Sequence, residues 1–148
     1  SHNYSQIYSS PQAVLDEYNK TNTLIANAIG NSKYISHLFR FPGGLAGGVY
    51  ADINNQAKQL LEEHYILNVD WNALTGDSEK SNPSPEYLME NLQKTTCNKN
   101  SVVILMHDSA AKKITADMLP QVIEFLKQQG YEFKTFKDVL GDTQNLDL

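Results

Sequence analysis

Helix-patterned stretches alternate with short apolar runs along this chain, and that alternation restricts the folds open to it. Strands separated by helices do not pair as hairpins. Each must cross over and lie parallel to a neighbour, which makes a parallel α/β sheet with right-handed crossovers. Ser10-Pro11 reads as a helix start, with Ser as cap and Pro in the first turn, and Gly30-Asn31 as its end. Val14, Leu15, Tyr18, Leu24, Ile25, Ala28 and Ile29 recur between them at helical spacing. A second helix is predicted over residues 54–64, with Ala57, Leu60 and Leu61 inward, and a third over 85–96. The fourth covers 116–129, with Gly130 closing it. Strands are predicted over 34–39, 65–69, 102–106 and 131–136. Val102-Val103-Ile104-Leu105-Met106 is continuously apolar, as in a strand buried on both faces. Four strands do not close a barrel, so either the sheet is open or the chain lacks the first strands of one.

At 148 residues the chain reads as one domain, residues 1–148. Its net charge of −5 argues against nucleic acid, whose binders carry a basic face. No run approaches the roughly 18 apolar residues of a membrane span. The single Cys97 excludes an intrachain disulfide and is expected to be partly buried.

Three polar blocks terminate the apolar runs: Arg40-Phe41-Pro42-Gly43-Gly44, Asp70-Trp71-Asn72-Ala73-Leu74-Thr75-Gly76-Asp77, and Leu105-Met106-His107-Asp108. In a parallel α/β barrel the chemistry sits at the C-terminal ends of strands, so the three are expected to converge. Arg40, before Pro, can fork onto a carboxylate. Gly43 offers a backbone N–H where Pro42 has none, and glycine lets the backbone approach a ligand closely. The glycines of 43–48 match neither a dinucleotide nor a P-loop pattern. His107 follows the apolar run and is the strongest catalytic candidate. Asp77 and Asp108 compete for contact with it, and a nearby carboxylate favours an imidazolium in general. Trp71, the only tryptophan, offers a face for a sugar ring. His37 and His64 carry no motif and read as structural. Ser109 lies too close to His107 to form a nucleophile triad with it, and no G-x-S-x-G elbow exists.

Taken together these blocks resemble the NodB-homology polysaccharide deacetylases, carbohydrate esterase family four, and among them the peptidoglycan N-acetylglucosamine deacetylases. Arg40-Phe41-Pro42-Gly43-Gly44 resembles the family's Arg-x-Pro motif, Trp71 to Asp77 its fourth motif, and Leu105-Met106-His107-Asp108 its fifth. Ser1-His2-Asn3-Tyr4-Ser5 resembles the tail of its His-x-x-x-His motif. The resemblance implies a distorted (β/α) barrel, here partial and lacking its N-terminal strands. It also implies metal-dependent removal of N-acetyl groups from N-acetylglucosamine residues of peptidoglycan or a chitin-like glycan. His107 would then be the general acid and Asp77 its partner. Arg40 would sit on the base aspartate, and the Gly43 N–H would stabilise the oxyanion. Trp71, Leu105 and Pro42 would contact substrate, and His2 would be a ligand of a divalent metal (Zn, Co, Ni or Mn). The family's Thr-Phe-Asp-Asp-Gly block, with its base and a metal ligand, is absent from these residues. We therefore expect a truncated domain that is inactive alone.

The rival readings are a carbohydrate-binding module without turnover, using Trp71, and an inactive remnant of the family. Uncovered strand edges would invite self-association. A glycan partner and a cell-envelope or extracellular location follow from the resemblance alone.

Overall fold

Helices and short parallel strand pairs alternate in the computed structural model, which describes residues 3–46 and 48–141. The chain forms two compact units, Ser1–Asp70 with Lys134–Leu148, and Trp71–Phe133.

In the first unit, α1 (Tyr4–Ile7) leads into α2 (Pro11–Ile29), then β1 (Leu38–Phe39), α3 (Ala51–Glu63) and β2 (Leu67–Asn68). Helix α2 begins where its sequence says it should. The Ser10 hydroxyl accepts from the Ala13 N–H at 3.1 Å and Pro11 occupies the first turn. Gly30 ends it in the left-handed conformation, φ +68°. Strands β1 and β2 pair in parallel, Leu38 with Leu67 and Phe39 with Asn68. Asn22 and Tyr18 of α2 bind the entry to β1: the Ser36 N–H donates to Asn22 Oδ1 at 2.8 Å and the Tyr18 hydroxyl donates to the Ser36 carbonyl at 2.5 Å. Ile7, Tyr8, Val14, Leu15, Tyr18, Phe41, Ala57, Leu61 and Ile66 form one core. Burying each large apolar side chain of this kind contributes about 1.5–3 kcal/mol. The only other described element of this unit, α6 (Phe136–Leu140), is capped reciprocally by Thr135 and Asp138.

The second unit holds β3 (Ala73–Leu74), α4 (Pro85–Thr96), β4 (Ile104–Leu105), a 3-10 turn (Ala110–Lys112) and α5 (Lys113–Gln128). Strands β3 and β4 are parallel, with Ala73 opposite Ile104 and Leu74 opposite Leu105. Leu88, Met89 and Leu92 of α4 pack against Met118, Val122 and Leu126 of α5. Thr95 ties α4 to β3: its hydroxyl accepts from the Leu74 N–H at 3.1 Å and donates to the Leu74 carbonyl at 2.9 Å.

The four predicted helices form within a few residues of their expected bounds, α1 and α6 were not expected, and the strands follow the sequence less closely. The paired portion of each strand is two residues, and β3 arises inside a block read as polar. The run 102–106 is only half-buried, with Val103 36% exposed, because its helices cover one side. Residues 131–135 form no strand. The Tyr131 N–H closes the end of α5 on the Leu126 carbonyl, and its hydroxyl donates to the Lys99 carbonyl at 2.5 Å, so this stretch is spent on helix termination. Cys97 is exposed rather than partly buried, since Thr96 takes the inward position at the end of α4.

Candidate active site

Asp77 and His107 meet at the C-terminal ends of β3 and β4. Gly76 makes the approach possible: its φ is +73°, and a Cβ there would lie 2.6 Å from Asn91 Nδ2 and 3.0 Å from Glu79 Oε2. The Asp77 side chain that follows is almost wholly buried. Its Oδ1 accepts from His107 Nδ1 at 2.8 Å. Its Oδ2 accepts from the His107 backbone N–H at 2.8 Å and from the Thr115 hydroxyl at 2.9 Å. Lys112 donates through Nζ to the Asp77 carbonyl at 2.5 Å.

Burial is the largest single influence on the Asp77 carboxyl and pushes it up. The bonds from the His107 ring, the His107 N–H and the Thr115 hydroxyl together outweigh it, and the carboxyl is held below its ordinary value. The first turn of α5, which carries Thr115, also favours negative charge there. Asp77 is thus an anion that can only accept, and Nδ1 of His107 must carry a proton to reach it. That leaves Nε2 as the working nitrogen, on a side chain that keeps 35% exposure. The arrangement can bind, give or take a proton at Nε2, with a buried counter-charge behind the ring.

The Arg40 block is organised within the first unit. Arg40 follows β1 directly and is exposed. Phe41 is fully buried and sits edge-on to Phe39 with ring centres 5.0 Å apart. Pro42 and Gly43 are the centre of a turn closed by the Gly44 N–H on the Phe41 carbonyl at 2.9 Å. Gly43 has φ +81°, which this turn requires of its third residue. The Pro42 carbonyl accepts from the Tyr8 hydroxyl at 2.5 Å. In a trans peptide the N–H points opposite to the carbonyl, so the Gly43 N–H faces away from Tyr8. It donates to none of the described residues. Two further bonds hold the turn: the Leu45 N–H donates to Asp70 Oδ2 at 3.0 Å, and Asn54 Nδ2 to the Gly44 carbonyl at 3.3 Å. Burial pushes the Tyr8 hydroxyl up to about 12, with Tyr4 and Asp70 adding and Arg40 opposing. Tyr8 remains a donor over the whole physiological range.

Of the residues singled out in the sequence, the structure joins Asp77 to His107 directly. It places Pro42 and Gly43 at the centre of one turn, with Arg40 immediately before it. Pro42 is buried in that turn. Leu105 lies in β4 and is half-buried, as is Trp71. His37 and His64 take structural places: His37 Nδ1 lies 3.2 Å from the Tyr65 carbonyl, and His64 caps α3. His2 lies outside the described residues. Among the described residues no three His, Cys, Asp or Glu side chains gather as a metal site, so these residues do not by themselves fit the metal that the resemblance implies.

Sequence reasoning missed Thr115, Lys112, Tyr8 and the role of Asp70. A signal existed for Thr115, a hydroxyl standing on the buried stripe Met118, Val122 and Leu126 of α5. Tyr8 and Asp70 reach the glycine turn from far along the chain, which spacing does not reveal.

No family model matches the chain. Among curated proteins it is 28% identical over 142 residues to a peptidoglycan-N-acetylglucosamine deacetylase of Bacillus cereus, covering 93% of this chain and 48% of that protein. It is 30% identical over 93 residues to a bifunctional xylanase/deacetylase of Pseudobutyrivibrio xylanivorans, covering 61% of this chain and 14% of that protein. The chain thus spans about half the length of the first of these relatives, and less of the second. Two solved structures share its fold. A Streptococcus mutans CE4 esterase matches with a TM-score of 0.76 and 29% identity, over 90% of this chain and 58% of that one. The catalytic domain of a peptidoglycan N-acetylglucosamine deacetylase from Eubacterium rectale matches with a TM-score of 0.78 and 31% identity, over 90% and 60%. The expected α/β class, as part of the CE4 esterase barrel, agrees with these neighbours.

Proposed function

We infer, from the homology of this chain with the CE4 polysaccharide deacetylases, that it carries the proton-donating part of a glycan N-deacetylase. The observation that supports this most is the bond between His107 Nδ1 and buried Asp77 Oδ1, which leaves Nε2 as the second nitrogen of a ring whose side chain keeps 35% exposure. Hydrolysis of an N-acetyl group expels an amine, and an amine leaves only if it is protonated. In this reading His107 delivers that proton from Nε2, while the Asp77 carboxylate holds the ring and balances the imidazolium. The Gly43 N–H, turned away from Tyr8, donates to the carbonyl oxygen as it gains charge. Arg40 orients a carboxylate.

The substrate proposed is N-acetylglucosamine in peptidoglycan or a chitin-like glycan, and the cell envelope is where such a substrate lies. Trp71 and Leu105 are the proposed contacts with it. The base of the reaction has no counterpart in these 148 residues, because they contain no Thr-Phe-Asp-Asp-Gly block. We therefore propose that the chain by itself releases no acetate and that turnover draws on residues beyond it. A divalent metal would likewise need ligands beyond the described residues, and no step above runs through one.

The test is acetate release from N-acetylglucosamine oligomers by the protein as encoded, with His107→Ala beside it. Acetate release is expected to fall by roughly a thousandfold while oligomer binding persists. Turnover retained in the variant would remove His107 as the acid.

A further inference from the structure

We propose that Thr115 is a positioning residue for the Asp77–His107 pair, the third member of a hydroxyl–carboxylate–imidazole chain. The proposal rests on the deacetylase reading only for its effect on turnover; the geometry stands without it. Thr115 is buried, 7% exposed, on the third residue of α5. An exposed threonine at this point of a helix would turn its hydroxyl to water. Here it donates to Asp77 Oδ2 at 2.9 Å, across 38 residues of sequence. The His107 N–H shares that oxygen, and the His107 ring takes the other. With all three donors in place the carboxylate has one low-energy rotation. Without Thr115, Oδ2 keeps only a backbone donor, and the carboxylate can turn its plane away from Nδ1.

The groups that face Asp77 can be named. The His107 ring faces the carboxylate, and the Lys112 ammonium binds the main-chain carbonyl of Asp77 rather than the carboxylate. Glu79, two residues away, accepts from the Tyr87 hydroxyl at 3.2 Å and does not contact the carboxylate. Among the described residues, Thr115 is the hydroxyl that donates to the carboxylate, and a threonine-to-valine change removes a hydrogen bond while keeping shape and net charge.

The experiment uses the chain as it stands. The Asp77 carboxyl is titrated by carbon NMR in the wild type, Thr115→Val and Thr115→Ser. The Val variant is expected to titrate at higher pH than the wild type, and the Ser variant to return to it, because serine keeps the donor. An Asp77 titration unmoved in Thr115→Val would overturn the proposal. An equal displacement in both variants would also overturn it, since packing rather than the hydroxyl would be responsible. In the protein as encoded, kcat for acetate release should fall roughly tenfold in Thr115→Val with KM retained and recover in Thr115→Ser. An NMR displacement in a protein that never releases acetate would uphold the positioning role and defeat the deacetylase reading, so the two failures are distinguishable.

Discussion

Replacing Asp77 by asparagine should cost stability in a way that depends on pH. The carboxylate accepts three hydrogen bonds in a nearly solvent-free position. Bonds to a charged group contribute roughly 1.5–3 kcal/mol each, and an unsatisfied buried group costs a similar amount. Asparagine keeps one accepting oxygen and aims an N–H₂ at donors already present. Allowing for the bonds it retains, we expect a loss of about 3 kcal/mol near neutral pH. The Asp77 carboxyl is held low in the folded chain. Its contribution is therefore complete above the unfolded carboxyl value of about 3.9 and is lost as pH falls through the lower folded value. Asparagine does not titrate, so the gap between wild type and variant should narrow in acid. Urea unfolding followed by Trp71 fluorescence gives the assay, since the only tryptophan belongs to the same unit as Asp77. Measured at about pH 7 and about pH 3, the gap should shrink clearly. A gap below about 0.5 kcal/mol at neutral pH, or one that stays constant into acid, would refute the reasoning.

Two other substitutions test the turns that carry the site. Gly76→Ala puts a Cβ 2.6 Å from Asn91 Nδ2 at φ +73°, and should destabilise the chain by about 2 kcal/mol; a thermal midpoint equal to the wild type would contradict this. Tyr8→Phe leaves the Pro42 carbonyl without its donor, for a loss of about 1–2 kcal/mol in chemical denaturation. Because Tyr8 titrates near 12 when folded, against about 10 unfolded, its contribution is complete below the unfolded value and is lost as pH rises toward the folded one. The variant should lack that alkaline loss, and an identical decline at about pH 11 in both proteins would argue against it.

What could be read from the residues alone was local. Ser10-Pro11 combines a cap with a pre-set φ, so α2 starts where short-range chemistry puts it. His107, Asp77, Arg40 and Gly43 were singled out because each stands in a block of neighbours at the end of an apolar run. The strands were harder, since a strand exists only through a partner. Residues 131–136 have the pattern of one, yet the Tyr131 N–H donates to the Leu126 carbonyl near the end of α5, and its hydroxyl to the carbonyls of Thr96, which ends α4, and of Lys99 beyond it. The resemblance implied Asp77 as the partner of His107, and the tertiary structure supplies the physical reason. Asp108 is adjacent in sequence, but it is Asp77, 30 residues away, that reaches the ring, because β3 and β4 run parallel and deliver their C-terminal ends side by side. The same folding aimed Thr115 at Asp77 and pointed the Gly43 N–H away from Tyr8. Composition and spacing specify which groups are available; direction and burial, on which their protonation depends, come only from the packed chain.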